Sequence, residues 1–229
     1  MTTAGQRESL IFIISGPSGS GKSTLVEKIL QMPGVMLSVS CTTREPRTSE
    51  SAGKWYNFVS EERFQEMMKN GEFLEYARVF GKNWYGTPLK NWQEAQGKHL
   101  DLILEIDVQG AQKVQEGPLA ERVASIFILP PSAKELERRL RSRAMDSEDE
   151  IERRLKQATT EIKAYAGNYD YRVINDNVEC AAREIEGILL EERKRPLEER
   201  RAQMRGSDAV AAASRRRSDA QIKLRQIGF

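Results

Sequence analysis

The sequence predicts an α/β fold: a parallel sheet covered by helices, carrying an inserted mixed β region and a helical lid. Three observations predict it. Short apolar runs rich in β-branched residues recur at 10–14, 100–106, 125–129 and 171–175, with stretches of helical spacing between them. A glycine-rich turn joins the first run to the first helix. A turn-rich segment of strand character, about 38–97, interrupts the strand–helix alternation.

The elements follow in order. Residues 10–14 are short and branched enough for a buried strand, and Leu25, Ile29 and Leu30 then recur at helical spacing. Pro33 and Gly34 mark a turn. Residues 37–41 alternate as one short strand, 42–54 form a polar loop, and 55–59 resume strand character. Ser60 ahead of Glu61, Glu62 and Arg63 reads as the N-cap of a helix reaching Asn70. Residues 72–80 alternate again, 81–83 are hairpin-like, and 84–88 lead into a helix ending near Gly97. Residues 100–107 make an apolar strand that ends in acids. Residues 132–165 are helical and crowded with arginine, 171–175 give a last strand, and 180–195 a long last helix. One domain is expected over 8–193, with its core at 8–37, 98–135 and 160–193. The insertion falls at about 38–97 and the lid at about 136–159, and 194–229 follow as a basic extension.

Composition narrows the class. Of 229 residues 31% are charged and 39% hydrophobic, which suits a soluble globular protein. Cys41 and Cys180 lack metal-ligand spacing and read as free thiols in a reducing cytoplasm, although a bridge between them stays open. Residues 1–9 are polar, and no apolar run nears the roughly 20 residues of a membrane helix. The expectation is a cytoplasmic protein without membrane contact. The net charge of +2 is uneven: residues 193–229 hold eleven Lys/Arg against four Asp/Glu, which leaves −5 on the rest.

The chemistry begins at Gly16-Pro-Ser-Gly-Ser-Gly-Lys-Ser23, a full match to G-x-x-x-x-G-K-[ST] in the required strand–turn–helix setting. Gly16, Gly19 and Gly21, with Pro17, Ser18 and Ser20 between them, let backbone N–H groups curl around a phosphate at a helix N-terminus. Lys22 supplies a mobile cation for the β- and γ-phosphates, Ser23 a hydroxyl for Mg²⁺, and Thr24 completes the turn. This is a nucleoside triphosphate site. Glu105 and Asp107 alternate with apolar neighbours, so both acids are expected on one face as partners of Ser23, holding Mg²⁺ directly or through water. Arg44 and Arg47 could fork around one phosphate dianion, with phenols from Tyr56 and Tyr85 in the same region. Arg139 and Arg143, four apart on one helical face, and Arg154 offer positive charge for a transferring phosphoryl group.

Taken with the stretches 38–47, 53–58, 71–76, 84–87 and 104–110, this chain resembles the guanylate kinases over roughly residues 8–193. The resemblance implies transfer of the γ-phosphoryl group of ATP to GMP, and to dGMP, with Mg²⁺. It implies that Arg44, Arg47, Tyr56 and Tyr85 hold the GMP phosphate and that Ser40, Glu75, Thr87 and Asp107 surround guanine. Lys22, Arg44, Arg139, Arg143 and Arg154 would be catalytic. Asn175 would lie near the adenine of ATP beside residues 16–24, and Ser23, Glu105 and Asp107 would serve the metal. Cys41, Ala144 and Asn177 depart from the commonest family residues.

Two other readings compete: a binding module that has lost catalysis, and a related small kinase for a different sugar phosphate or nucleotide. Lys22 argues against the first and the pair Glu75 and Thr87 against the second. Nothing in the nucleotide chemistry needs residues 194–229, so they are expected to form a solvated, removable extension. Some helix propensity appears at 209–213 and 221–224, and Arg215, Arg216 and Arg217 allow weak nonspecific contact with nucleic acid. Assembly with copies of itself stays open.

Overall fold

The computed structural model describes residues 8–46, 52–79, 81–142, 147–200 and 224–229. The expected alternation is present. Strand β1 (Ile11–Ser15) leads through the glycine turn to α1 (Lys22–Ile29), then β2 (Val35–Leu37). The insertion carries β3 (Ser40–Thr42), β4 (Tyr56–Phe58), α2 (Glu61–Lys69), β5 (Phe73–Val79), β6 (Asn83–Pro88) and α3 (Leu89–Gly97). The core resumes with β7 (Asp101–Glu105), α4 (Val108–Glu116) and β8 (Val123–Leu129). After α5 (Ala133–Arg141) and α6 (Glu148–Tyr165) come β9 (Tyr171–Ile174) and α7 (Val178–Lys194).

Five parallel strands form one sheet in the order β2-β7-β1-β8-β9. Successive residues of β1 point to opposite faces: Ile11 and Ile13 enter one apolar cluster, Phe12 and Ile14 the other. Burial on both faces explains why these strands read as continuous apolar runs. The connections leave β1 toward β2 on one side, and β7 crosses to β8 on the other. The turn after β1 therefore opens at a switch point, beyond the carboxyl ends of the strands.

The alternating stretch 37–41 is two strands rather than one. β2 ends at Leu37 in the parallel sheet, and β3 begins at Ser40 in a four-stranded mixed sheet of order β4-β3-β6-β5. Ser38 is the pivot: its N–H donates to Ile103 O at 2.9 Å while its hydroxyl accepts from Asn91 Nδ2 at 2.9 Å. Residues 84–88, read only as a lead-in, belong to β6 and pair antiparallel with β5. The Ser60 cap holds, with its side chain accepting from Arg63 N. Ser132 and Ser147 cap α5 and α6 in the same way, dividing the arginine-rich stretch into two helices. Asn177 caps α7 by accepting from Cys180 N at 3.0 Å, so this departure from the family suits the helix start. Cys41 is buried, Cys180 is exposed, and neither forms a disulfide.

The expectation of a solvated extension fails at several positions. Arg200 is 5% exposed and ion-paired with the buried Glu192. Leu197 packs on one apolar cluster, whereas Leu224 and Ile227 are buried within the other, on the opposite side of the sheet. Apolar side chains spaced along a basic segment override its net charge, because burial is decided residue by residue. The stretch 209–213 and Arg215, Arg216 and Arg217 lie outside the described residues, as does 221–223.

Candidate active site

The turn after β1 curls as its glycines require. Gly21, with φ 88°, sits so close to Asn175 that a Cβ there would lie 2.3 Å from Asn175 Nδ2. At Gly16 a Cβ would meet Ile128 O at 2.4 Å. Lys22 opens α1, and its Nζ donates to Gly16 O at 2.6 Å and Pro17 O at 3.0 Å, lying back across the loop it serves. Ser23 Oγ donates to Glu105 Oε1 at 2.7 Å. Burial pushes the Glu105 carboxyl up, while Lys22 and the Ser23 hydroxyl pull it down.

Asp107 reaches the site differently from the expectation. β7 ends at Glu105, and Asp107 is the N-cap of α4, its Oδ1 accepting from Gly110 N at 2.8 Å. Strand alternation does not aim it; the cap does. It nevertheless faces the same cavity as Glu105. The helix it caps is an element that the strand reading passed over.

The mixed sheet forms the opposite wall. Glu75 on β5 pairs with Thr87 on β6, and the Thr87 hydroxyl donates to Glu75 Oε1 at 2.7 Å. Glu75 is 7% exposed, and burial pushes its carboxyl up to about 7 against the pull of Thr87, with Asp107 pushing the same way. Gly110 makes the approach possible, since a Cβ there would lie 2.9 Å from Glu75 Oε2. Arg44 Nε donates to Tyr85 OH at 3.1 Å, and its guanidinium sits 5.6 Å from the Tyr56 ring centre. Tyr56 and Tyr85 meet edge to face at 5.7 Å.

One cavity of about 490 Å³ joins the two walls. Gly16, Ser18, Gly19, Gly21, Lys22, Ser23 and Thr24 line it from the loop. Ser40, Tyr56, Glu75 and Tyr85 line it from the mixed sheet, and Glu105, Asp107 and Arg154 from β7, from the cap of α4 and from α6. Arg139 reaches the loop from α5: Nη2 donates to Asn175 O at 3.0 Å and Nη1 to Ser20 O at 3.5 Å. Asn175 Nδ2 donates to Ser20 O at 2.8 Å, whereas Asn175 Oδ1 and Ser20 Oγ are buried without a partner among the described residues. Arg47, Arg143 and Ala144 lie outside the described residues. Glu161 lines the cavity too and was missed in the sequence, where it is one acid among many on α6. Its spacing of seven from Arg154 was the available signal.

Among the described residues no helix is long and apolar enough to cross a membrane. A family model described as guanylate kinase matches residues 8–192. The guanylate kinase of Clostridioides difficile strain 630 is 43% identical over 82% of this chain and 91% of its own length. That of Haemophilus influenzae strain 86-028NP is 46% identical over 80% and 88%. The crystal structure of guanylate kinase from Anaplasma phagocytophilum superposes with a TM-score of 0.70 at 38% identity, covering 84% of this chain and 90% of that one.

Proposed function

Because the chain belongs to the guanylate kinase family, we propose that it transfers the γ-phosphoryl group of ATP to GMP, giving ADP and GDP. The observation that carries this reading is the shared cavity of about 490 Å³, which the glycine loop with Lys22 and the mixed sheet with Glu75 line together. Residues 16–24 cradle the triphosphate, and Lys22 swings from its own loop carbonyls to the β- and γ-phosphates. Arg139, Arg143 and Arg154 bring positive charge to the phosphoryl group in flight. Asn175, which donates to Ser20 O, braces the loop on the adenine side.

The acceptor is chosen by hydrogen-bond complementarity. An ionised Glu75 only accepts, matching the N1–H and 2-amino donors of guanine. Adenine has an acceptor at N1 and no 2-amino group, so it would leave a buried carboxylate unpaired. Ser40, Thr87 and Asp107 complete the base pocket. Arg44, Arg47, Tyr56 and Tyr85 hold the GMP phosphate in line with the donor. This selection rests on base and phosphate, so dGMP is a second acceptor.

The oxygen-only set around Ser23 suits a hard cation: its hydroxyl already meets Glu105 at 2.7 Å. Ser23 and Glu105 would hold Mg²⁺, with Asp107 assisting. The ion would neutralise charge on the β- and γ-phosphate oxygens. A coupled assay with ATP and Mg²⁺ against GMP, dGMP, AMP and UMP tests the reading. Equal turnover of AMP and GMP would sink the guanine assignment. Tight GMP binding without turnover would return the chain to the binding-module reading.

A further inference from the structure

Glu161 has no part in the scheme above, yet it occupies the nucleotide cavity. It is half-buried on α6 and lines the same space as Lys22, Ser23, Glu105, Asp107 and Arg154. Arg154, Gln157 and Glu161 share one helix face, seven and four residues before the last of them. The stripe has a guanidinium at one end and a carboxylate about 10 Å further along the helix. Gln157 Nε2 donates to Glu161 Oε1 at 2.8 Å, and among the described residues no donor is directed at Oε2. Burial holds the carboxyl up, Gln157 and Lys22 draw it down, and Asp107 pushes it up.

A carboxylate in a cavity built for polyphosphate opposes binding unless a cation stands between the two. No three His, Cys, Asp or Glu side chains among the described residues converge closely enough to hold an ion directly. Mg²⁺ keeps several of its waters when bound, and their protons require acceptors. Resting on the kinase reading, we propose that Glu161 is a positioning residue for the metal–nucleotide complex. Its Oε2 accepts a hydrogen bond from metal-bound water while Arg154, on the same stripe, meets the polyphosphate. Helix α6 thereby sorts charge, with phosphate toward one end and hydrated cation toward the other.

Glu161→Gln keeps an amide oxygen for Gln157 and replaces the charged acceptor Oε2 by an N–H donor. Calorimetric titration of the full chain with ATP, in chelator and over a Mg²⁺ series without acceptor, measures how far Mg²⁺ tightens ATP binding. In the variant that enhancement should fall about tenfold. Affinity in chelator should stay the same or rise, and GMP affinity should stay within about twofold. Glu161→Ala should lose the same enhancement, and Glu161→Asp should restore part of it. An unchanged Mg²⁺ enhancement in a folded variant, or equal weakening with and without Mg²⁺, overturns the proposal. A wild-type protein that binds Mg²⁺ and ATP but phosphorylates no nucleotide would sink the kinase reading and leave this measurement intact.

Discussion

At the amino ends of the parallel strands, Asp101 is fully buried and fully engaged. It accepts from Leu10 N at 2.9 Å and from Arg193 Nε at 2.7 Å, and Arg193 also reaches Gly34 O. Glu192 nearby accepts from Tyr171 OH, from Arg200 and from Arg195. At the carboxyl ends of the same sheet, Asn175 Oδ1 and Ser20 Oγ are buried without partners among the described residues, and Lys22 bonds to its own loop. The comparison teaches where each kind of polar group belongs. Buried charge at one end is neutralised within the chain, so it holds the strands in place, although Arg200 Nε finds no hydrogen-bond partner among the described residues. At the other end polar groups that line the cavity, such as Lys22 and Ser23, hold bonds that a ligand can replace.

Breaking one member at each end should separate the two behaviours. Lys22→Ala should lower turnover at least about a thousandfold, because charge on the transferring phosphoryl group loses its partner. Its melting temperature should stay near wild type. Comparable activity in that variant would erase the contrast. Glu192→Ala should do the reverse. It strands the buried Arg200 guanidinium and should cost about 3 kcal/mol or more in a denaturant titration. The variant that remains folded should keep its kcat.

Glu75 sharpens the comparison, because it is a buried carboxylate on the cavity side, held by the Thr87 hydroxyl and, in the proposed reading, by guanine. With its carboxyl near 7, GMP affinity should weaken as pH falls from 8 to 6, since the protonated form presents a donor to guanine. The stability sign is opposite. A raised folded value means a contribution present at acid pH and lost as pH rises through about 7. Glu75→Gln should therefore melt higher than wild type at pH 8, with the gap closing toward pH 5, and should lose about a hundredfold in kcat/KM for GMP. A wild-type GMP affinity with the same pH slope as the variant would show that Glu75 does not titrate in this range.

The smallest effect belongs to the chain end. Ending the chain after residue 223 removes the buried Leu224 and Ile227, which should cost about 2 kcal/mol of stability and leave turnover within about twofold. A melting temperature unchanged by that truncation would restore the removable-extension reading for these residues.

Much of the site was legible because its signals are local. The strand before Gly16, the loop itself and the helix after Lys22 lie within consecutive residues, where spacing dictates both conformation and direction. The caps at Ser60 and the helix through Asn70 follow from the same short-range chemistry. Glu75 and Thr87 were named through family resemblance rather than spacing, since only the pairing of β5 with β6 brings them to 2.7 Å. Other features were decided by tertiary structure alone. Asp107 faces the cavity as a helix cap, and Ser38 carries the chain from one sheet to the next. Glu161 shares one cavity with Lys22 and Asp107 across more than fifty residues of sequence. Arg200 and Leu224 are buried despite a basic surrounding segment. Local spacing fixes how a segment folds and which way its side chains point. What covers those side chains depends on segments distant in sequence, and no local pattern encodes that.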